Sequence, residues 1–223
     1  MKTISRNTAW KDKLTLASID SQTHPNSVRI RYAYGSILVM EKGLNEKEAN
    51  VKKPFLQEGI RQLTAAVKIL PDYSDAWFNL GMGYKELEDY KNSIICFDNA
   101  RKYMAKEYPE IFIESGVAYG QDGQYDKAFE LLKKAIQLDS SSADAYNNIG
   151  LFYSWEGNFP LSLKMLNKAK LLNPKDDHPF YNLGNTYEAM EDFKTAIEYY
   201  HQALSINSQS DITWLISETA MQP

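Results

Sequence analysis

Cysteine is nearly missing from this chain of 223 residues: Cys96 stands alone, which excludes an internal disulfide and a cysteine-ligated metal cluster. Its apolar setting, Ser-Ile-Ile-Cys-Phe, predicts a buried, inert thiol rather than a nucleophile. Long apolar runs are lacking too. No stretch of about 18 apolar residues occurs, and the opening Met-Lys-Thr-Ile-Ser-Arg-Asn has none of the apolar core of a secretory signal. The chain therefore reads as soluble and untargeted, cytoplasmic by default. Histidine is scarce: His24, His178 and His201 are scattered, and none stands in a ligand spacing such as His-Glu-x-x-His. Asp176, Asp177 and His178 precede a helical pattern and read as helix-start capping rather than a metal site. No phosphate loop, serine elbow or dinucleotide fingerprint is found, and Gly120-Gln121-Asp122-Gly123-Gln124-Tyr125 follows a helix, which makes it a turn. The expectation is a protein without catalytic residues, metal or cofactor.

A concentrated positive charge is also wanting. The net charge is -4, and nucleic-acid binding, whose affinity rests on basic groups neutralising phosphates, is disfavoured. The charge is uneven: residues 1–70 hold 12 Lys/Arg against 6 Asp/Glu, and the remainder 13 against 23. The basic residues of the N-terminal part are dispersed and read as a solvated face. Against these absences, 43% hydrophobic and 13% aromatic residues suffice for a folded core.

What organises the chain is a repeat. Gly35, Gly81, Gly116, Gly150 and Gly184 follow one another at spacings of 46, 35, 34 and 34 residues. The same chemistry surrounds the last four: Trp77, Leu80, Gly81, Tyr84; Phe112, Ser115, Gly116, Tyr119; Tyr146, Ile149, Gly150, Tyr153; Phe180, Leu183, Gly184, Tyr187. Offsets of three, four and seven place each set on one helical face, helix A. A second helix, B, follows with small, large and small residues at i, i+4 and i+7: Gly59, Leu63, Ala66; Ser93, Phe97, Ala100; Ala128, Leu132, Ala135; Ser162, Leu166, Ala169; Ala196, Tyr200, Ala203. Gly/Asp/Asn-rich turns join A to B, and Pro71 and Pro174 follow the first and fourth B helices. Glycine in a helix costs about 1 kcal/mol relative to alanine, so its recurrence implies close approach of B to A, with the small B residues Ala100, Ala135, Ala169 and Ala203 expected to face it.

The pattern W-x2-L-G-x2-Y, then A-x3-F and a closing proline at a period of 34, resembles the tetratricopeptide repeat (TPR). Trp77, Leu80, Gly81 and Tyr84 match it fully, and the resemblance covers about residues 28–210. It implies an all-α fold: a right-handed α-solenoid, the TPR superhelix, of about five helix pairs with an extra helix at each end. The expected divisions are a capping helix in 1–27, repeats near 28–73, 74–108, 109–142, 143–176 and 177–210, and a final helix in 211–223. The first repeat carries a surplus of about 12 residues around Gly43–Pro54. This is either a solvated loop with Pro54 opening helix B, or a lengthened helix kinked at Pro54, the helical extension being favoured. Trp10, Leu14 and Ala17 read as an orphan helix B, and Trp214 as the start of a sixth helix A, unless the chain is part of a longer protein.

The resemblance further implies a scaffold binding a protein or peptide segment on a concave wall made mostly by helix A. The positions adjoining the packing set there are Tyr32, Phe78, Ile113, Asn147 and Tyr181; one residue later Asn79, Glu114, Asn148 and Asn182; and three later Met82, Val117, Leu151 and Asn185. An apolar stripe beside amides suits an extended peptide. TPR clamps for chaperone C-terminal tails use Lys at the Tyr32/Phe78 phase, where this chain has none, so that partner is disfavoured. A narrower resemblance, carried by Arg6, Asn7, Trp10, Pro25, Asn26 and Ser27, is to TPR-carrying protein O-mannosyltransferase-like membrane glycosyltransferases. It implies an extracytoplasmic accessory domain that recognises the acceptor, with catalysis elsewhere in the parent chain. Self-assembly through ends near Trp10 and Trp214 is a third expectation.

Overall fold

The computed structural model describes residues 13–207 and residue 219; the expectations for Arg6, Asn7, Trp10 and Trp214 lie outside them. Among the described residues are eleven α-helices, one π-helical segment and no strand. The contacts divide the chain into two units, Met1–Glu107 and Tyr108–Pro223.

In the first unit, α1 (Lys13–Thr23) precedes α2 (Val28–Ser36), which runs into a π-helix, Ile37–Gly43; α3 (Ala49–Ile69), α4 (Ser74–Glu86) and α5 (Tyr90–Tyr103) follow. Ser27 starts α2 by accepting a hydrogen bond from the Ile30 amide, and the Pro25 carbonyl accepts from Arg31 Nε at 2.9 Å. The surplus of the first repeat is a helical extension, shared between the π-helix and α3. Pro54 lies inside α3 instead of opening it. An ion pair from Lys52 to Glu86 ties the lengthened helix to α4. Leu38, Val39, Leu56 and Leu63 form the core of this pair.

The second unit holds α6 (Pro109–Gln121), α7 (Tyr125–Leu138), α8 (Ala143–Trp155), α9 (Phe159–Leu172), α10 (His178–Ala189) and α11 (Phe193–Ile206). They pack as successive pairs, α6 with α7, α8 with α9 and α10 with α11, as α4 packs with α5 in the first unit. Phe152, Ile111, Leu132, Leu166, Leu183 and Tyr200 are fully enclosed.

The recurring glycines do accept helix B, but the partner differs from the expected one. A methyl group on Gly81 would stand 2.7 Å from the Phe97 ring, on Gly116 2.8 Å from Leu132 Cγ, and on Gly150 2.6 Å from Leu166 Cγ. The large middle residue of helix B fills the gap, and the alanines three residues on are buried beside it. Steric logic explains the exchange: a glycine leaves room for one bulky side chain, which buries more apolar area than two small ones.

The A-to-B turns share one bend. Glu88, Gly123, Gly157 and Glu191 occupy it with φ of 59°, 78°, 76° and 62°, the left-handed region. The amide that follows donates back to the carbonyl of the repeat tyrosine: Asp89 to Tyr84, Gln124 to Tyr119, Asn158 to Tyr153 and Asp192 to Tyr187, at 2.8 to 3.0 Å. Asp89, Asn158 and Asp192 then cap helix B through their side chains. Cys96 is buried, and loss of solvent pushes its thiol up to about 12.

Candidate functional site

Helix A exposes only what its packing face leaves over. In the first unit little remains: Asn79 and Met82 are buried, and Asn79 Nδ2 donates to Ser36 Oγ at 2.7 Å. Tyr32 and Phe78 are half-buried, with rings 4.7 Å from Tyr73 and 5.7 Å from Phe97.

The second unit leaves more. Ile113, Glu114 and Val117 on α6, Asn148 and Leu151 on α8, and Tyr181 and Asn185 on α10 are half-buried. The neighbouring packing positions Phe112, Ser115, Ile149 and Leu183 are buried. Alternation of this kind is what one helix turn of periodicity produces when a single face is covered. The amide row is less open than its spacing suggests. Asn182 Nδ2 donates to Asn147 Oδ1 at 2.9 Å, joining α10 to α8, and both residues are buried. Asn148 Nδ2 donates to the Asp144 carbonyl of its own helix. Asn185 Oδ1 accepts from the Tyr200 hydroxyl at 2.9 Å. A half-exposed apolar row, Ile113, Val117 and Leu151, is thus flanked by amides already oriented by internal bonds.

Behind that row lies a polar knot absent from the sequence expectations. Thr186 Oγ1 lies 2.7 Å from the Asn182 carbonyl, 3.1 Å from Ser162 Oγ and 3.2 Å from Ser154 Oγ. Ser162 was legible only as a small helix B residue; its hydroxyl also had to be satisfied once buried. At the start of α10, His178 Nδ1 is 2.6 Å from Asp176 Oδ1, which also accepts from the His178 amide. The hydrogen bond to His178 holds the Asp176 carboxyl below its ordinary value, and the same bond raises the His178 imidazole. Asp177 Oδ2 accepts from Asn207 Nδ2 at 3.2 Å. These groups organise a helix start.

Repeated helix pairs of this length, with glycine at the A-to-B contact and an aromatic near the start of the last four A helices, define the class of helical-repeat proteins. Family models described as tetratricopeptide repeats match residues 74–106 and 179–210, and one described as a TPR repeat matches 116–154. The chain is a tetratricopeptide-repeat protein, and such arrays serve as protein-interaction scaffolds. It is 23% identical over 145 residues to the tetratricopeptide repeat-containing protein trd-1 of Caenorhabditis elegans, a match covering 65% of this chain and 16% of that relative. Among solved structures it is similar to YrrB, described as a TPR protein with an unusual peptide-binding site. The TM-score there is 0.60 and the identity 18%, over 91% of this chain and 97% of that one. A thermophilic TPR protein of Thermus thermophilus superposes with a TM-score of 0.69 at 15% identity, over 88% of this chain and all (100%) of that one. At such identities the likeness is one of fold. No described helix is long and apolar enough to cross a membrane.

Proposed function

We propose that the protein is a non-catalytic scaffold that holds a peptide or protein segment against the helix A rows. The site is best developed in the second unit, along Ile113, Val117 and Leu151 with Asn148, Tyr181 and Asn185 beside them. The observation that carries this reading is the half-exposure of that apolar row, next to helix A positions that are closed by packing. Apolar side chains left partly in water at regular spacing bind a partner's side chains, and amides held by internal bonds meet its main chain without further ordering. The first unit carries a row of its own, in which Tyr32 and Phe78 are half-buried aromatics. The buried amides Asn79, Asn147 and Asn182 position the wall rather than reach the partner.

The test is a double substitution, Val117→Asp with Leu151→Asp, in a pull-down read by mass spectrometry alongside circular dichroism. Partners recovered with the parent chain and lost with a folded double variant are the expected result. An unchanged set of partners on a folded variant removes the helix A row from consideration.

A further inference from the structure

Two clefts in the second unit lie on helix B instead of the helix A row, and they are the same cleft repeated. One, of about 450 Å³, is lined by Phe112 of α6 and by Glu130, Leu131, Lys133, Lys134 and Gln137 of α7. The other, of about 580 Å³, is lined by Tyr146 of α8 and by Lys164, Met165, Asn167, Lys168 and Leu171 of α9. Every lining residue of the second stands 34 positions after its counterpart in the first. Each cleft thus offers an aromatic floor, an apolar wall at Leu131 or Met165, and a lysine at Lys134 or Lys168; the second is the more basic, because Lys164 stands there where the first has Glu130, and in the first the Lys134 ammonium lies over the Phe112 ring, 5.9 Å from its centroid. None of these residues belongs to the helix A row.

We propose that these tandem clefts bind an acidic peptide in extended form, with two apolar anchors each flanked by carboxylates. Charge complementarity selects the occupant. From residue 71 onward the chain is strongly acidic, yet α9 carries Lys164, Lys168 and Lys170 and no Asp or Glu at all. Among the described residues no ion pair engages Lys133, Lys164 or Lys168. The stripe Leu161, Lys164, Lys168 and Leu171 faces water on α9, and Leu171 is 76% exposed, an unusual setting for a leucine in a packed array.

The probe is a fluorescein-labelled synthetic peptide, Glu-Leu-Asp-Glu-Leu-Asp-Glu, followed by anisotropy against the full chain, with phosphatidylserine vesicles in a parallel flotation assay. Saturable binding that weakens with added salt is expected. The pair Lys134→Glu and Lys168→Glu should weaken it about tenfold or more, and Leu171→Ser, a change at an exposed side chain that leaves the fold intact, should weaken it as well. Replacing both peptide leucines by serine should abolish binding. Equal affinity for parent and lysine variants overturns the proposal, as does flotation with vesicles in the absence of peptide binding. The Val117→Asp and Leu151→Asp variant keeps its affinity for this probe, so failure of the helix A site and failure of the clefts are told apart.

Discussion

Asn182 Nδ2 donates to Asn147 Oδ1 at 2.9 Å, a buried amide bond linking the A helices of adjacent repeats. Removing either side chain strands the other out of water, and an unsatisfied buried amide costs about 1–3 kcal/mol. Asn147→Ala and Asn182→Ala should each destabilise by that order in urea denaturation followed by circular dichroism. Asn148→Ala should change stability little, because Asn148 bonds only within its own helix. Additive losses in the Asn147/Asn182 double variant would show that the pair is not coupled.

Gly81→Ala brings a methyl to within 2.7 Å of the Phe97 ring, a stiff neighbour enclosed on all sides. Overpacking of about 1–3 kcal/mol outweighs the gain of about 1 kcal/mol in helix propensity. A lower midpoint in denaturant is expected, partly restored by Phe97→Leu.

Glu191 sits at φ 62° where the equivalent turn has Gly157 at 76°. A side chain there is strained by roughly 1–2 kcal/mol. Glu191→Gly should therefore raise stability by up to about 1 kcal/mol, and Gly157→Ala should lower it by a similar amount; thermal melts of the two variants shifting in the same direction would refute the shared bend.

The pairing of His178 with Asp176 gives a stability term confined to a pH window. His178 is raised above its ordinary value near 6.5, so its share is complete below that value and fades as pH climbs through the higher folded one. Asp176 is lowered, so its share is present above the usual carboxylate range and fades as pH falls through the depressed value. His178 is a largely exposed side chain, which keeps the effect small. The His178 ring proton shifts in an NMR titration should give a midpoint above 6.5 that returns toward it in Asp176→Asn.

Much of this fold is written in residue types. Trp77, Gly81 and Tyr84 and their counterparts announce helix A because glycine and aromatics at fixed offsets have few other uses. The partner of each glycine was not legible: both Phe97 and Ala100 lie on the inner face of helix B, and only side-chain direction decides which meets Gly81. The candidate wall was legible as a set of phases, and the half-exposed Ile113, Val117 and Leu151 follow from them. That Asn147 and Asn182 would be buried did not follow, since contact across helices depends on their separation and not on sequence period. The clefts at Phe112 and Tyr146 escaped for a related reason, being shared between two helices whose relative tilt no spacing encodes.

The first repeat shows how such an array tolerates growth. Its surplus is divided between the π-helix Ile37–Gly43 and the long α3, so the hairpin becomes taller at its far end while α3 still meets α4. The added height is not bare: the π-helix packs on α4, with Val39 facing Gly83, and the Lys52–Glu86 ion pair holds α3 to the same helix, so the longer hairpin widens its contact with the next repeat.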